Sequence, residues 1–410
     1  MNIWYLSAYD QPKGQSSRTY DFSKELVNRG HHVTMFTNSY CHFTHIERLS
    51  RHEKWRIEEI DGIRVVWLRT IPYIGNGWRR AANMLLNALR AIQVSQLLAD
   101  KPNIVIGPSV PLFTGWAALR IAKKKDAAFI FEVRDIWPQA LVDLGVLKKN
   151  SLAYKLFRVL EKKLYHQAQR ISAVLPFTWT HVSKSGVDSK KVHWIPNGVN
   201  LERFENLPTY KGGHSPLTAM YVGGFAITHD VSTIIKAAKI LEEKGTTGYR
   251  FIIVGNGLRR AECENEANDL KLQNVEFCDS VPKNEVPRLQ MRADVLIASV
   301  KNTPVYQFGI NSNKLYDYLA SARPIIFAGN VPNNFVVESG AGFGIPPENP
   351  MAMVEALEKI LKMTPIERIK MGERGRRWIE KEFNMLMLGE RMEDLLEQAV
   401  HQKKVQREKY

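Results

Sequence analysis

Two hydrophobic periods alternate along the chain. Short continuous apolar runs, Asn2 to Ser7, His32 to Thr37, Asn103 to Ile106, Ala128 to Val133, Ile171 to Leu175 and Val192 to Ile195, read as buried strands. Between them lie helical patterns. Thr19 to Arg29 places Phe22, Leu26 and Val27 on one face and stops at Gly30, a left-handed C-terminal position. A helix is predicted from about Phe113 to Lys125, a basic helix over 151 to 169, and a hairpin over Ile57 to Leu68 around Asp61-Gly62. Residues 77 to 98 form a further helix with an apolar stripe, Trp78, Ala82, Leu85, Leu89 and Ile92, leaving Arg79, Arg80 and Arg90 off that stripe. The stripe is expected to pack on the domain core.

The alternation restarts after residues 205 to 216, ENLPTYKGGHSP, whose Pro and Gly content reads as a linker. Strands are predicted at Thr218 to Val222, Arg250 to Val254, Val275 to Phe277, Val295 to Ser299 and Pro324 to Ala328. Helices fall at Val231 to Lys244 and at about Arg259 to Leu270, and the tail from about Asn349 is helical. The expected class is α/β, with two Rossmann-like doubly wound domains facing across a ligand cleft. Residues 1–204 form the first domain, 205–216 the linker and 217–384 the second. A C-terminal helix at about 385–410 packs back on the first.

Composition narrows the class of protein. A hydrophobic fraction of 44% in 410 residues supports large cores. Three widely spaced cysteines, Cys41, Cys263 and Cys278, argue against a disulfide frame or a structural zinc site. The start MNIWYLSAYD lacks a basic segment followed by an apolar one, and no apolar run is long enough to span a bilayer. A cytoplasmic location is expected. The net charge of +15 is uneven: residues 1–200 hold 29 Lys and Arg against 15 Asp and Glu, and the remainder is nearly neutral. Such a basic half suits nucleic acid, anionic lipid or an anionic substrate.

Candidate chemistry sits where strands end. The strand Val295 to Ser299 leads into a loop with Gly309, then Ser312-Asn313 ahead of Lys314-Leu315-Tyr316-Asp317, a capping pattern that starts a helix near Asn313. Free amides at a helix start suit a diphosphate, and Asp317, one turn in, suits ribose hydroxyls. Gly255-Asn256-Gly257 ends another strand, where glycines let the backbone approach a nucleotide. In the first half, Glu132, Arg134 and Asp135 cluster at the carboxyl end of a strand, the place where parallel sheets put ligands. The loop Lys13-Gly14-Gln15-Ser16-Ser17-Arg18 follows the first strand, with Gly14 and Arg18 as its candidates.

Several segments, in order, resemble one family. The run Ile195-Pro196-Asn197-Gly198-Val199-Asn200-Leu201-Glu202-Arg203-Phe204 resembles the "PNGVDxxxF" that closes the first domain of family 4 glycosyltransferases. Tyr221-Val222-Gly223-Gly224 resembles their "YVGR", and Ile253-Val254-Gly255-Asn256-Gly257 their "VGxG". Lys314 to Ala320 with Arg323-Pro324-Ile325-Ile326 resembles "KLxEYxAxGxPVI". Glu132 to Pro138, EVRDIWP, is similar to a subgroup that adds N-acetylfucosamine or N-acetylglucosamine during bacterial surface-polysaccharide assembly, including O-antigen.

The resemblance implies a GT-B fold and metal-independent, retaining transfer. The donor is a nucleotide-sugar, UDP-linked, held by the second domain through Gly224, His229, Gly255, Asn256, Gly257, Gly309, Ser312, Asn313, Lys314 and Asp317, with Gly14 and Arg18 closing on it. The acceptor is a lipid-linked saccharide at the inner face of the cytoplasmic membrane, reached by peripheral contact with anionic lipid. Asp135, Arg134 and Glu132 form the catalytic, acceptor-side group. No cofactor and no metal are expected, since no Asp-x-Asp pair occurs and the histidines lack metal spacing.

This chain also departs from the pattern. Gly309 stands where the family has the first Glu of its spaced pair, Gly224 where it has a basic residue, and His229 where it has Lys. The diphosphate charge then falls to His229, Lys301, Lys314 or Arg323. Arg134-Asp135 stands where many members have His-Asp. Two other classes compete. A UDP-sugar 2-epimerase of the same fold needs no basic first domain. A nucleic-acid-binding protein needs a recognisable basic module with exposed aromatics, and none is present.

Overall fold

The computed structural model describes residues 1–14, 18–75 and 77–408. In chain order the elements are β1 (Asn2–Leu6), α1 (Arg18–Asn28), β2 (His32–Asn38), β3 (Trp55–Ile60), β4 (Ile63–Leu68), α2 (Trp78–Leu97), β5 (Ile104–Pro108), α3 (Leu112–Lys125), β6 (Ala128–Val133), α4 (Gln139–Asp143), α5 (Leu152–Gln167), β7 (Arg170–Ala173), α6 (Thr178–Ser183) and β8 (Val192–Trp194). There follow β9 (Leu217–Val222), α7 (Val231–Glu243), β10 (Tyr249–Val254), α8 (Arg260–Asp269), β11 (Val275–Cys278), α9 (Val286–Gln290), β12 (Val295–Ser299), α10 (Asn313–Ala320), β13 (Ile325–Ala328), α11 (Phe335–Glu338), β14 (Gly342–Ile345), α12 (Pro350–Lys362), α13 (Pro365–Glu382) and α14 (Met385–Glu408). Two compact units result, one of Met1–Asn197 with Met385–Tyr410, the other of Gly198–Asn384.

The first unit is an eight-stranded sheet in the order β3-β4-β2-β1-β5-β6-β7-β8, parallel except for the β3–β4 hairpin. That hairpin turns on Asp61 and Gly62, both at positive φ as the two-residue turn demands. β1, β5 and β6 are apolar almost throughout because helices cover both faces. α1 and α14 cover one face, where Phe22 and Leu26 meet Leu388, Met392 and Leu395. α2, α3 and α5 cover the other, with α3 packed against both neighbours.

The orientation of α2 reverses the expectation. Its buried residues are Asn83, Met84, Asn87, Ala88, Ala91, Val94 and Ser95. The stripe of Trp78, Leu85 and Leu89 faces outward. Small residues let α2 lie close against α3, and the buried Asn83 is satisfied by Asn38, Thr70 and the Ile71 carbonyl.

The second unit is a six-stranded parallel sheet, β11-β10-β9-β12-β13-β14. The edge strand β14, GFGI, is half glycine and carries no strand signal in the sequence. Residues 205–216 lie on this unit: the Tyr210 hydroxyl donates to the Asp294 carbonyl, and Arg368 donates to the Gly212 carbonyl. Among the described residues no helix is long and apolar enough to cross a membrane.

Candidate active site

In each sheet the winding reverses beside the first strand, between β1 and β5 in the first unit and between β9 and β12 in the second. Loops leaving the carboxyl ends of those strands part in opposite directions and open a crevice. The candidate side chains of each unit gather there.

In the second unit the loop after β9 carries Gly223, Gly224 and His229, and the segment after β12 leads into α10. Lys314, on the first turn of α10, lies back across Tyr221. Its Nζ is 4.4 Å from the ring centroid and donates to the Tyr221 hydroxyl at 2.9 Å. A Cβ at Gly223 would stand 2.9 Å from both Cε and Nζ, so this glycine makes the room that Lys314 occupies. Gly224 makes no such demand: its nearest neighbour would be the Asn256 carbonyl at 3.7 Å. Burial pulls the Lys314 ammonium down to about 7. An anion placed beside it would restore the charge.

His229 is not a second cation. Its Nδ1 lies 2.5 Å from the Gly224 carbonyl, an acceptor, so the ring proton is on Nδ1 and Nε2 is left as an acceptor. Burial, aided by the Lys314 charge, holds the ring down to about 4. Lys301 stands beside this loop, its backbone amide donating to the Thr228 carbonyl at 2.9 Å. Arg323, named among the possible phosphate ligands, is buried under Tyr210 and donates to the carbonyls of Ala293 and Ser321, remote from this role.

The glycines of the β10 loop answer to packing. Gly255, at φ +145°, would put a Cβ 1.9 Å from the Gly223 carbonyl oxygen, and Gly257, at φ +150°, one 2.7 Å from the Phe225 nitrogen. The close approach is therefore between two protein backbones, tied by Gly223 N to Val254 O and Phe225 N to Asn256 O at 3.0 Å each. Asn256 is exposed beside them. Gly309 is buried at φ +109°, with its amide given to the Tyr306 carbonyl. Ser312 caps α10 by position without a side-chain hydrogen bond, and Asn313 is exposed. Asp317 accepts from Arg203 Nη1 at 2.9 Å, and Arg203 Nη2 also donates to the Lys283 carbonyl. Arg203 lies 114 residues away in the chain, and no local signal links it to Asp317.

In the first unit the cluster is a closed ion network. Glu132 is fully buried; Oε1 accepts from the Tyr5 hydroxyl and from Arg18 Nε at 2.8 Å, and Oε2 from Arg134 Nε at 2.6 Å. Arg134 Nη1 reaches Asp10 Oδ2 at 2.7 Å, and Nη2 reaches the Thr19 hydroxyl at 2.6 Å. Burial alone would raise the Glu132 carboxyl; the Arg134 and Arg18 charges and the Tyr5 hydroxyl outweigh it and leave it low. Arg18 is buried and also donates to the carbonyls of Ile195 and Pro196 and to Asn197. Glu132, expected as catalytic, and Arg18, expected to close on the donor, are thus both engaged in holding one another, with Arg134 on the second oxygen of Glu132.

Asp10, which the sequence does not single out, is the second carboxylate on Arg134. Its only signal there is a charged residue in the loop after β1. Asp135 differs from the others. Its side chain is reached by solvent, yet the surrounding protein excludes enough water to raise its carboxyl, against the pull of Arg134. Its backbone is fixed by Ser109, whose hydroxyl donates to the Asp135 carbonyl at 2.7 Å. Gly14 donates its amide to the Gln11 carbonyl at 3.0 Å, while Gln15, Ser16 and Ser17 lie outside the described residues. Among the described residues no group of three or more His, Cys, Asp or Glu is placed to hold a metal ion.

Comparison with known proteins decides the family. Residues 13–198 match the family described as glycosyl transferase 4-like domain, and residues 209–378 that described as glycosyl transferases group 1. The chain belongs to the group 1 glycosyltransferases. A curated relative, the probable glycosyltransferase WbjE of Pseudomonas aeruginosa, is 22% identical over 248 residues, 57% of this chain and 60% of that protein's length. The matched region therefore spans about three-fifths of the curated relative. Sucrose-phosphate synthase from Thermosynechococcus elongatus aligns with a TM-score of 0.73 at 17% identity, covering 97% of this chain and 98% of that one. Anabaena Alr3699/HepE in complex with UDP-glucose aligns with a TM-score of 0.70 at 12% identity, covering 97% and 99%. These likenesses establish the fold of the glycosyltransferase, two parallel-sheet domains of the GT-B type.

Proposed function

We propose that this glycosyltransferase moves a sugar from a UDP-linked donor to a saccharide carried on a lipid diphosphate, without a metal and with retention of configuration. The transferred sugar is an N-acetylated hexosamine or deoxyhexosamine. The setting is bacterial O-antigen or capsule assembly at the inner face of the cytoplasmic membrane. The observation that carries the reading is Lys314, a cation that burial holds below its usual pKa, laid over Tyr221 at the start of a helix, beside the winding reversal of the second sheet. The leaving UDP gains negative charge at its β-phosphate, and a desolvated cation together with helix amides stabilises that charge strongly. The structure of HepE holding UDP-glucose supports the choice of donor.

On the first unit Asp135 is the group that meets the acceptor hydroxyl. Arg134, fixed by Asp10 and Glu132, positions the peptide on which Asp135 sits. The N-acetylated sugar and the lipid-linked acceptor follow from the likeness of residues 132–138 to the N-acetylfucosamine and N-acetylglucosamine transferases.

The test is a transfer assay with EDTA present. Purified protein is incubated with a panel of UDP-sugars and a lipid-diphosphate-linked monosaccharide, and products are read by mass. Addition of one N-acetylhexosamine or deoxyhexosamine unit, lost in Lys314→Met, is expected. Epimerisation of the donor without an acceptor, or dependence on a divalent cation, overturns the proposal.

A further inference from the structure

The outer face of the layer α2–α3–α5 leaves large apolar side chains uncovered. On α2, Trp78, Leu85 and Leu89 fall on one line of the helix and are 75%, 40% and 45% exposed. On α5, Leu152, Leu156 and Val159 recur on successive turns and are 72%, 61% and 67% exposed. Between them α3 presents the half-buried Phe113 and Trp116, with Phe113 edge-on to Phe157 at 5.7 Å. Scattered single exposed apolar residues are ordinary, but two stripes on the helices that flank α3 mark a surface that meets something.

The charge of the layer says what. α2 carries three Lys or Arg, α3 four and α5 four. The one carboxylate on these helices, Glu161, is fully buried and held by Arg158, Tyr165 and His181. Lys148, Lys149, Lys155, Lys162 and Lys163 stand exposed around the α5 stripe. A protein partner offers charges of both signs. A uniformly cationic rim around an apolar stripe matches a plane of negative charge above acyl chains.

Position adds a third argument. Helices that return between parallel strands run antiparallel to them, so α2 and α5 begin at the end of the sheet where the strands finish. Trp78 and Leu152 therefore lie toward the same end of the unit as Arg134 and Asp135.

We infer that this face docks on an anionic lipid bilayer, with Trp78 and the Leu152–Val159 stripe entering the interface and the lysines meeting the headgroups. The inference deepens the proposed function and rests on it for the purpose of docking, but its test needs no sugar transfer.

The test is flotation of the full chain with phosphatidylglycerol-containing vesicles and, separately, with pure phosphatidylcholine vesicles. Binding to the first, released by salt, is expected. It is lost in the triple variant Leu152→Ser, Leu156→Ser, Val159→Ser, and weakens about fivefold for each of Lys155, Lys162 and Lys163 changed to Ala. These variants keep the wild-type melting temperature and its rise with UDP-sugars, which separates loss of docking from loss of the donor site. Failure of the wild type to bind anionic vesicles at low salt, or binding untouched by both sets of changes, overturns the inference. So does sedimentation showing a dimer that the triple variant dissociates, which assigns the face to a second copy of the chain.

Discussion

Raising the pH from 6 to 9 should weaken binding of a UDP-sugar about a hundredfold, because of Lys314. Burial holds this ammonium down to about 7 in the free protein. The free protein sheds the proton as pH passes that value, whereas a bound diphosphate favours the charged form. Binding is therefore strongest below pH 7. If the bound anion restores the pKa to above about 10, affinity tracks the protonated fraction of the free protein. That fraction is about nine-tenths at pH 6, one-tenth at pH 8 and one-hundredth at pH 9. Binding at pH 8 should take up about 0.9 proton. A nucleotide-sugar is the right ligand, since it lacks the terminal phosphate that titrates near 6 in a free nucleotide. Titration calorimetry in two buffers of different ionisation heat measures both quantities. Lys314→Met should bind weakly and show no slope. A wild-type affinity that is flat between pH 7 and 9, or a variant that shares the wild-type slope, refutes the reasoning.

Four further outcomes are expected. Gly223→Ala pushes a methyl into Lys314 and should weaken UDP-sugar binding about tenfold by calorimetry, with little change in melting. Gly255→Ala, whose Cβ would lie 1.9 Å from the Gly223 carbonyl oxygen, should instead cost about 3 kcal/mol in urea unfolding. Glu132→Ala strands two buried guanidiniums and should cost about 3–5 kcal/mol; a loss under about 1 kcal/mol would show that the network is not what holds this part of the sheet. Asp135→Asn should unfold like the wild type and bind donor normally, while kcat drops about a hundredfold or more, as a turnover assay would show.

Much of the fold was open to a reading of periods and turns. The strands Ile3 to Leu6 and Leu296 to Ser299, the hairpin at Asp61-Gly62 and the helix starting at Asn313 are local events, fixed by residues within a few positions of one another. β14 escaped because GFGI is half glycine and only four residues long, with Ile345 its one β-branched residue; it is a strand because β13 offers it an edge. At the sites, the residue types were legible and their partners were not. Asp317 meets Arg203, Lys314 meets Tyr221, and Arg134 meets Asp10 across 114, 93 and 124 residues. No pattern of spacing encodes such pairs.

The sequence by itself determined the order of elements, the reversal-prone α/β architecture and the loops that end the strands, because propensity, capping and period act over a few residues. Only the tertiary structure decided which face of α2 is buried, which glycine gives way to Lys314, and that Glu132 and Arg18 are consumed in holding one another and Arg134 in place. The physical reason is common to all three. A helix period marks a stripe without saying which side has a neighbour, and a charge or a glycine takes its role from what the fold brings within about 3 Å of it.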